Sequence, residues 1–212
     1  MTSRIAVLAS GGGSNLQALL DYFAGPGRDV GQIVWVGSNR ADAGALARAC
    51  AAGIATHVLE SPDTAVELLA QLRGADADVV VLAGYLKLVP HEVVEAFHGH
   101  LLNVHPSLLP AFGGEGMFGS RVHEAVLAHG AKVSGATVHF VDDQFDRGAI
   151  AAQWPVPVRP DDTPATLAAR VLRTEHQLLP RTVAAVACGA LRLDETGRVR
   201  GEVVLPDLGI LQ

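Results

Sequence analysis

The sequence predicts an α/β protein: a doubly wound, mostly parallel sheet followed by a long C-terminal helix and a short hairpin-like tail. Short apolar runs alternate with helix-period patterns through the first hundred residues, which is the order that winds a parallel sheet. The run Asp78-Val79-Val80-Val81-Leu82-Ala83-Gly84 is apolar without alternation, as a central parallel strand covered on both faces requires. With 212 residues the chain is long enough for a full core, and it is read as one domain over 1–212. Hydrophobic residues make up 49% and charged ones 18%, without long charged runs, which excludes a disordered chain. A net charge of -6 argues against nucleic acid as a partner, because phosphate neutralisation needs a basic face. Cys50 and Cys188 are far apart with no CxxC spacing, so neither a zinc site nor a disulfide framework is indicated. No apolar run reaches the length of a membrane span and no leader pattern precedes the first strand, so a cytoplasmic location without a membrane partner is expected.

The elements follow in order. Arg4 to Ser10 reads as a buried strand, and Gly11-Gly12-Gly13-Ser14-Asn15 leads directly into the helical spacing of Leu16, Leu19, Leu20 and Phe23. A glycine turn opening a helix suits a phosphate, through close backbone approach and free N–H groups. It is also an ordinary turn in which Ser14 or Asn15 caps the helix. Leu16 stands where a dinucleotide fingerprint needs glycine, and no Gly-Lys-Ser/Thr is present, so a single phosphate monoester fits better than NAD or ATP. Next are a strand at Gln32 to Ser38, a helix over 43–52 stopped by Gly53, a strand at 55–59, a helix over 63–73 and the strand at 78–84. Pro90 opens a short helix ending near Phe97.

Residues 100–110, His-Leu-Leu-Asn-Val-His-Pro-Ser-Leu-Leu-Pro, organise the chemistry. Asn103 and His105 are two apart on a strand and face the same way, and Pro106 ends the strand just beyond them. An amide and an imidazole at the C-terminal edge of a parallel sheet stand where ligands bind, and both suit an oxygen that gains charge during acyl transfer. A turn-forming Asn103 and a satisfied core His105 are the plainer alternative. The glycine-rich stretch from Gly113 to Phe118 is a lid, a binding wall or an insertion without a role. A helix over 121–129 and a strand over 132–141 follow, the strand placing Thr137, His139 and Val141 on one face. The acidic loop 142–148 leads to a further extended segment at 149–153. Thr163 and Pro164 start the long helix, whose apolar stripe Leu167, Val171, Leu178 contains Glu175, either paired or with its head in water. The tail from Leu191, with a Gly197-Arg198 turn, reads as a hairpin.

Taken together, Gly11 to Gln17, Val79 to Tyr85, Leu101-Leu102-Asn103-Val104-His105-Pro106-Ser107-Leu108-Leu109-Pro110, Gly135 to Val141 and Glu175-His176 resemble the glycinamide ribonucleotide formyltransferases of purine biosynthesis. The resemblance covers nearly the whole chain and implies a Rossmann-like formyltransferase fold, with a phosphate-binding half over 1–100 and a catalytic and folate-binding half over 101–212. It implies transfer of a formyl group from 10-formyltetrahydrofolate, as co-substrate, to the amine of glycinamide ribonucleotide, without a metal. Catalysis falls to Asn103, His105 and Asp146. Gly12, Gly13, Ser14 and Asn15 would hold the phosphate, and Glu175 would contact the ribonucleotide. Lys87, Leu88, Val89, Asn103 and Val141 would line the folate pocket, Lys87 standing where relatives often have arginine. Leu172 replaces a lysine or glutamine common in relatives, with Arg173 as a candidate substitute. A monomer or a homodimer is expected. The rival readings are a formyltetrahydrofolate hydrolase or another amine formyltransferase of the same fold, a His105/Ser107/Asp146 hydrolase, a zinc site from His98, His100 and His105, and a non-catalytic sugar-phosphate-binding protein.

Overall fold

The computed structural model describes residues 2–61 and 65–205. Its elements are β1 (Ser3–Leu8), α1 (Ser14–Ala24), β2 (Gly31–Ser38), α2 (Gly44–Ala51), β3 (Ala55–Val58), α3 (Ala65–Gly74), β4 (Val79–Leu82), α4 (His91–Ala96) and β5 (Leu101–His105). They continue with α5 (Ser120–His129), β6 (Val133–Phe140), β7 (Ile150–Pro157), α6 (Pro164–Ala187), β8 (Leu191–Leu193) and β9 (Val199–Gly201). The expected start of α3 at Asp63 lies outside the described residues.

The main sheet has seven strands in the order β3-β2-β1-β4-β5-β6-β7. β1 to β5 pair parallel, and β6 and β7 join antiparallel. From β1 the chain winds out to β3, then crosses back so that β4 lies on the other side of β1. The winding direction therefore reverses between β1 and β4, and the crevice beyond their carboxyl ends is where sheets of this kind accept ligands. All four residues of β4 are buried, which matches the unbroken apolar run in the sequence.

Two cores flank the sheet. Leu16, Leu19 and Phe23 of α1, Val126 of α5 and Leu167, Val171, Leu178 and Leu179 of α6 pack with Ile5 and Val7 on one face. Leu68 and Leu72 of α3 and Val93 and Val94 of α4 pack with Ala6 and Leu8 on the other. Alternate β1 residues thus feed opposite layers, as strand geometry dictates. The start of α6 is held as the sequence predicts: Thr166 N–H donates to the Thr163 side chain at 3.2 Å, and Thr163 N–H donates to Thr166 Oγ1 at 2.9 Å.

The last sheet strand is longer than the expected 149–153 and runs through Pro155 to Pro157. It is the terminal strand of the sheet, where a missing N–H costs no ladder bond. The tail forms the expected hairpin, β8 pairing antiparallel with β9. Among the described residues no helix is long and apolar enough to cross a membrane.

Candidate active site

β5 carries Asn103 and His105 to the sheet edge, with Leu82 of β4 beside Asn103 on one side. On the other side β6 sets His139 opposite Asn103 and Thr137 opposite His105. The chain after His105 is fixed by Thr137, which is fully buried. Its hydroxyl donates to the Ser107 carbonyl at 2.6 Å and accepts from Leu109 N–H and from Gln153 Nε2, both at 3.0 Å. One donor and two lone pairs are all used, so the segment leaving the strand has one position.

Asp146 joins the pair from the loop between β6 and β7. Its Oδ2 stands 3.3 Å from His105 Nδ1, its Oδ1 accepts from Asn103 Nδ2 at 3.3 Å, and its Oδ1 is 3.6 Å from His139 Nε2. The Gly114 N–H donates to Asp146 Oδ2 at 2.9 Å. His105 Nε2 faces the Phe112 carbonyl at 2.8 Å, and since a carbonyl only accepts, Nε2–H is the donor. By the same logic His139 donates from Nδ1 to the Phe140 carbonyl at 2.8 Å, leaving Nε2 to accept from Asn103 Nδ2 at 3.0 Å. Four side chains thus form one connected polar group. Two of its supports are backbone outliers: Asp146 and Phe112, neither a glycine, both have φ of 57°. Such strain persists where surrounding structure imposes it, and it collects at functional sites. A Cβ on Gly113 would come within 2.4 Å of Leu109 Cδ2 and 3.2 Å of Asp146 Cβ, so a side chain there requires Leu109 to move.

Burial pushes the Asp146 carboxyl up, but the contact with His105, the charge of His105 and the Gly114 N–H outweigh it and hold the acid well below the ordinary carboxylate range. The group stays a carboxylate wherever the protein is folded near neutrality.

The glycine turn lies between β1 and α1. Gly13 is the residue before the helix, at φ 76°, and no side chain caps this end, so neither Ser14 nor Asn15 has the capping role. A Cβ on Gly13 would come within 2.7 Å of the Ala45 Cα, because the start of α2 packs onto the turn. Asn15 turns instead to α6, where its Nδ2 donates to Glu175 Oε2 at 2.7 Å. Glu175 is 7% exposed and therefore paired within the apolar stripe rather than solvated. Burial pushes its carboxyl up, against the pull of Asn15 and the charge of His105.

All of this opens into one cavity of about 990 Å³, lined by Asn15, Asn103, His105, Asp146 and Glu175 among others. Leu82, Tyr85, Leu86, Leu88, Val89 and Val141 give it apolar lining, and Lys87 lines it as well. Gly114 to Ser120 form part of the lining, so the glycine-rich stretch is a wall of the site. Leu172 lines the cavity, whereas Arg173 is exposed and outside it. The cation that grips the glycine turn is Arg48 of α2, whose Nε donates to the Gly12 carbonyl at 2.8 Å and Nη1 to Gln17 Oε1 at 3.1 Å. Gly12, Gly13 and Ser14 are not among the cavity-lining residues and stand beside it, next to Asn15.

Sequence reasoning missed His139, Arg48 and the buried His123 as site residues. His139 was legible only in part: it alternates with Thr137, but its register opposite Asn103 required the sheet pairing. Two rival readings lose their geometry. Ser107 is fully buried and donates to the Ala111 carbonyl at 2.6 Å, so it is no exposed nucleophile. His100 precedes β5 and His105 ends it, roughly 16 Å apart at strand rise, too far to share a zinc ion. Among the described residues no cluster of three His, Cys, Asp or Glu side chains is arranged to hold a metal ion.

Residues 3–183 match the formyl transferase family. The chloroplastic phosphoribosylglycinamide formyltransferase of Arabidopsis thaliana is 42% identical over 92% of this chain and 68% of the relative. The trifunctional purine biosynthetic protein adenosine-3 of Bos taurus is 42% identical over 93% of this chain, which spans 20% of that protein's length. The crystal structure of phosphoribosylglycinamide formyltransferase from Anaplasma phagocytophilum superposes with a TM-score of 0.85 at 36% identity, covering 97% of this chain and 98% of that one. With a family match across most of its length and this site at the sheet edge, the chain belongs to the formyl transferase family.

Proposed function

We propose that this chain transfers the formyl group of 10-formyltetrahydrofolate to the amine of glycinamide ribonucleotide, a step of purine biosynthesis carried out in the cytoplasm by a monomer or homodimer. The observation that carries the reading is the contact of His105, Asn103 and Asp146 at the mouth of β5, inside a cavity whose lining also includes the apolar residues of 82–89 and the polar Asn15 and Glu175. The apolar wall with Lys87, Leu88, Val89 and Val141 fits the folate. The glycine turn Gly12 to Asn15 and Glu175 fit the ribonucleotide, with Arg48 holding the turn in shape.

The amine attacks the formyl carbon, a C–N bond forms, and the carbonyl oxygen gains negative charge. Asn103 holds that oxygen, and His105 joins it once its Nε2–H turns from the Phe112 carbonyl to the substrate. The Asn103 amide has two hydrogens: one is taken by His139 at 3.0 Å, and the other makes the longer 3.3 Å contact with Asp146. A substrate oxyanion replaces Asp146 as the second acceptor. A donor of this kind is worth about 10²–10³ in rate. Asp146 orients His105 and passes the amine proton, directly or through a water, toward the folate nitrogen, whose bond to the formyl carbon then breaks. Proton transfer of this kind contributes about 10²–10⁴.

The test is a spectroscopic assay for loss of 10-formyltetrahydrofolate with and without glycinamide ribonucleotide. Loss that requires the amine supports transfer. Equal loss without it makes the protein a hydrolase, and binding of the ribonucleotide without turnover makes it a sensor.

A further inference from the structure

His123 takes no part in the hydrogen bonding described above. It projects from α5 and lines the same cavity as His105 and Glu175, yet it is only 4% exposed. Its Nδ1 is buried without a partner among the described residues. A buried polar atom left unpaired is destabilising, and an apolar side chain would fill the position at lower cost. The imidazole therefore points to a ligand that completes it.

We propose that His123 contacts the acceptor substrate, a ring nitrogen accepting a hydrogen bond from the N–H of the attacking amine. This rests on the transfer reading above. Three observations choose this partner. α5 packs against α6, the helix that carries Glu175 and Leu172, both of which line the cavity with His123. Burial, and then the charge of nearby His105, push the His123 pKa down, so the ring is neutral and offers one bare nitrogen. A neutral imidazole has one bare nitrogen and one N–H; the bare nitrogen accepts only from a donor, and the amine has N–H groups to give where a formyl oxygen has none. In this position His123 aligns the amine lone pair toward the formyl carbon and stays clear of the oxygen held by Asn103 and His105.

Two substitutions test the proposal in a protein first shown to consume 10-formyltetrahydrofolate only when the amine is present; without that dependence the transfer reading itself fails, and the variants are not needed to say so. His123→Phe keeps the ring and removes both nitrogens, and His123→Asn keeps a polar atom near Nδ1. The Phe variant is expected to lower kcat/KM for the amine substrate about tenfold or more, the loss of one hydrogen bond. It should leave the KM for 10-formyltetrahydrofolate unchanged and the melting temperature equal or higher, and the Asn variant should recover part of the activity. A folded Phe variant with unchanged kcat/KM for the amine substrate, or a change confined to the folate KM, overturns the proposal. Should the Phe variant not fold, nitrogen NMR of the wild-type ring decides: glycinamide ribonucleotide alone must shift the His123 ring nitrogens and 10-formyltetrahydrofolate alone must not, and the absence of a ribonucleotide-induced shift at saturation overturns it.

Discussion

At the scale of single residues, the two acids of the site have pKa values shifted in opposite directions, for different reasons. Asp146 is held ionised by its neighbours in spite of burial. A depressed folded-state pKa contributes stability that is present above the ordinary aspartate pKa of about 3.9 and is lost as pH falls through the folded value. Asp146→Asn removes that contribution, so the gap in melting temperature between wild type and variant should hold from pH 7 to about 4 and narrow as pH falls below that. The same variant should lower turnover at least about tenfold, since it takes away the orientation of His105 and the proton route. Unchanged turnover in a folded Asp146→Asn protein removes the residue from the mechanism. Glu175 is the reverse, its carboxyl raised by burial. Its cost is absent below the ordinary glutamate pKa and accrues as pH rises through the raised one. Glu175→Gln keeps an acceptor for Asn15 and discards the charge. It is expected to raise the melting temperature at pH 8 while raising the KM for the ribonucleotide, and a variant with both quantities unchanged shows that the acid serves neither purpose.

At the scale of elements, the glycine turn is shaped by its neighbour helix as much as by its own residues. Gly13 sits at φ 76° with the Ala45 backbone where a Cβ would go, so a side chain there faces both a strained conformation and a backbone clash. Gly13→Ala should push α2 off the turn and weaken ribonucleotide binding well beyond any effect on folate binding, which parallel calorimetric titrations with the two substrates would compare. Equal losses for both would mean that the turn has only a structural role. Helix α6 is set by a local device, the reciprocal Thr163 and Thr166 bonds at its start. Thr163→Ala is expected to cost about 0.5–2 kcal/mol in chemical denaturation while leaving KM values alone, because the cap is distant in sequence from Glu175 on the same helix.

At the scale of the whole molecule, the cavity is assembled from segments that meet only through the sheet order. One exposed contact joins α4, which follows the Tyr85–Val89 wall, to the β6–β7 loop, whose Gln144 to Asp146 line the cavity: His91 at the start of α4 has Nδ1 2.8 Å from Asp143 Oδ1, and Nε2 3.4 Å from Glu95. The hydrogen bond to Asp143, then the charges of Asp143 and Glu95, raise the His91 pKa. The charged contact is full at low pH and is lost as pH rises through the raised value, so His91→Ala should raise the folate KM modestly at pH 6 and have little effect at pH 9. A larger effect at the higher pH would show that charge is not what joins the walls.

The order of strands and helices, the apolar β4, the cap of α6 and the hairpin at the tail were legible along the chain, because hydrophobic period, proline and capping residues act over a few positions. Asn103 and His105 were legible for the same reason, as alternate residues on a strand cut short by Pro106. Their companions carried no local signal of where they meet, and Asp146 and the role of Glu175 were named only through the family resemblance. That Asp146 reaches His105 at 3.3 Å, that His139 and not a solvent molecule meets the Asn103 amide, that Arg48 rather than Arg173 serves the glycine turn, and that Glu175 finds Asn15 all depend on register and packing between segments distant in sequence. The sequence by itself determined which strands and helices form and which side chains stand at the end of β5. Only the tertiary structure decided their partners, since distance in space between remote residues is set by the winding of the sheet and has no local signal.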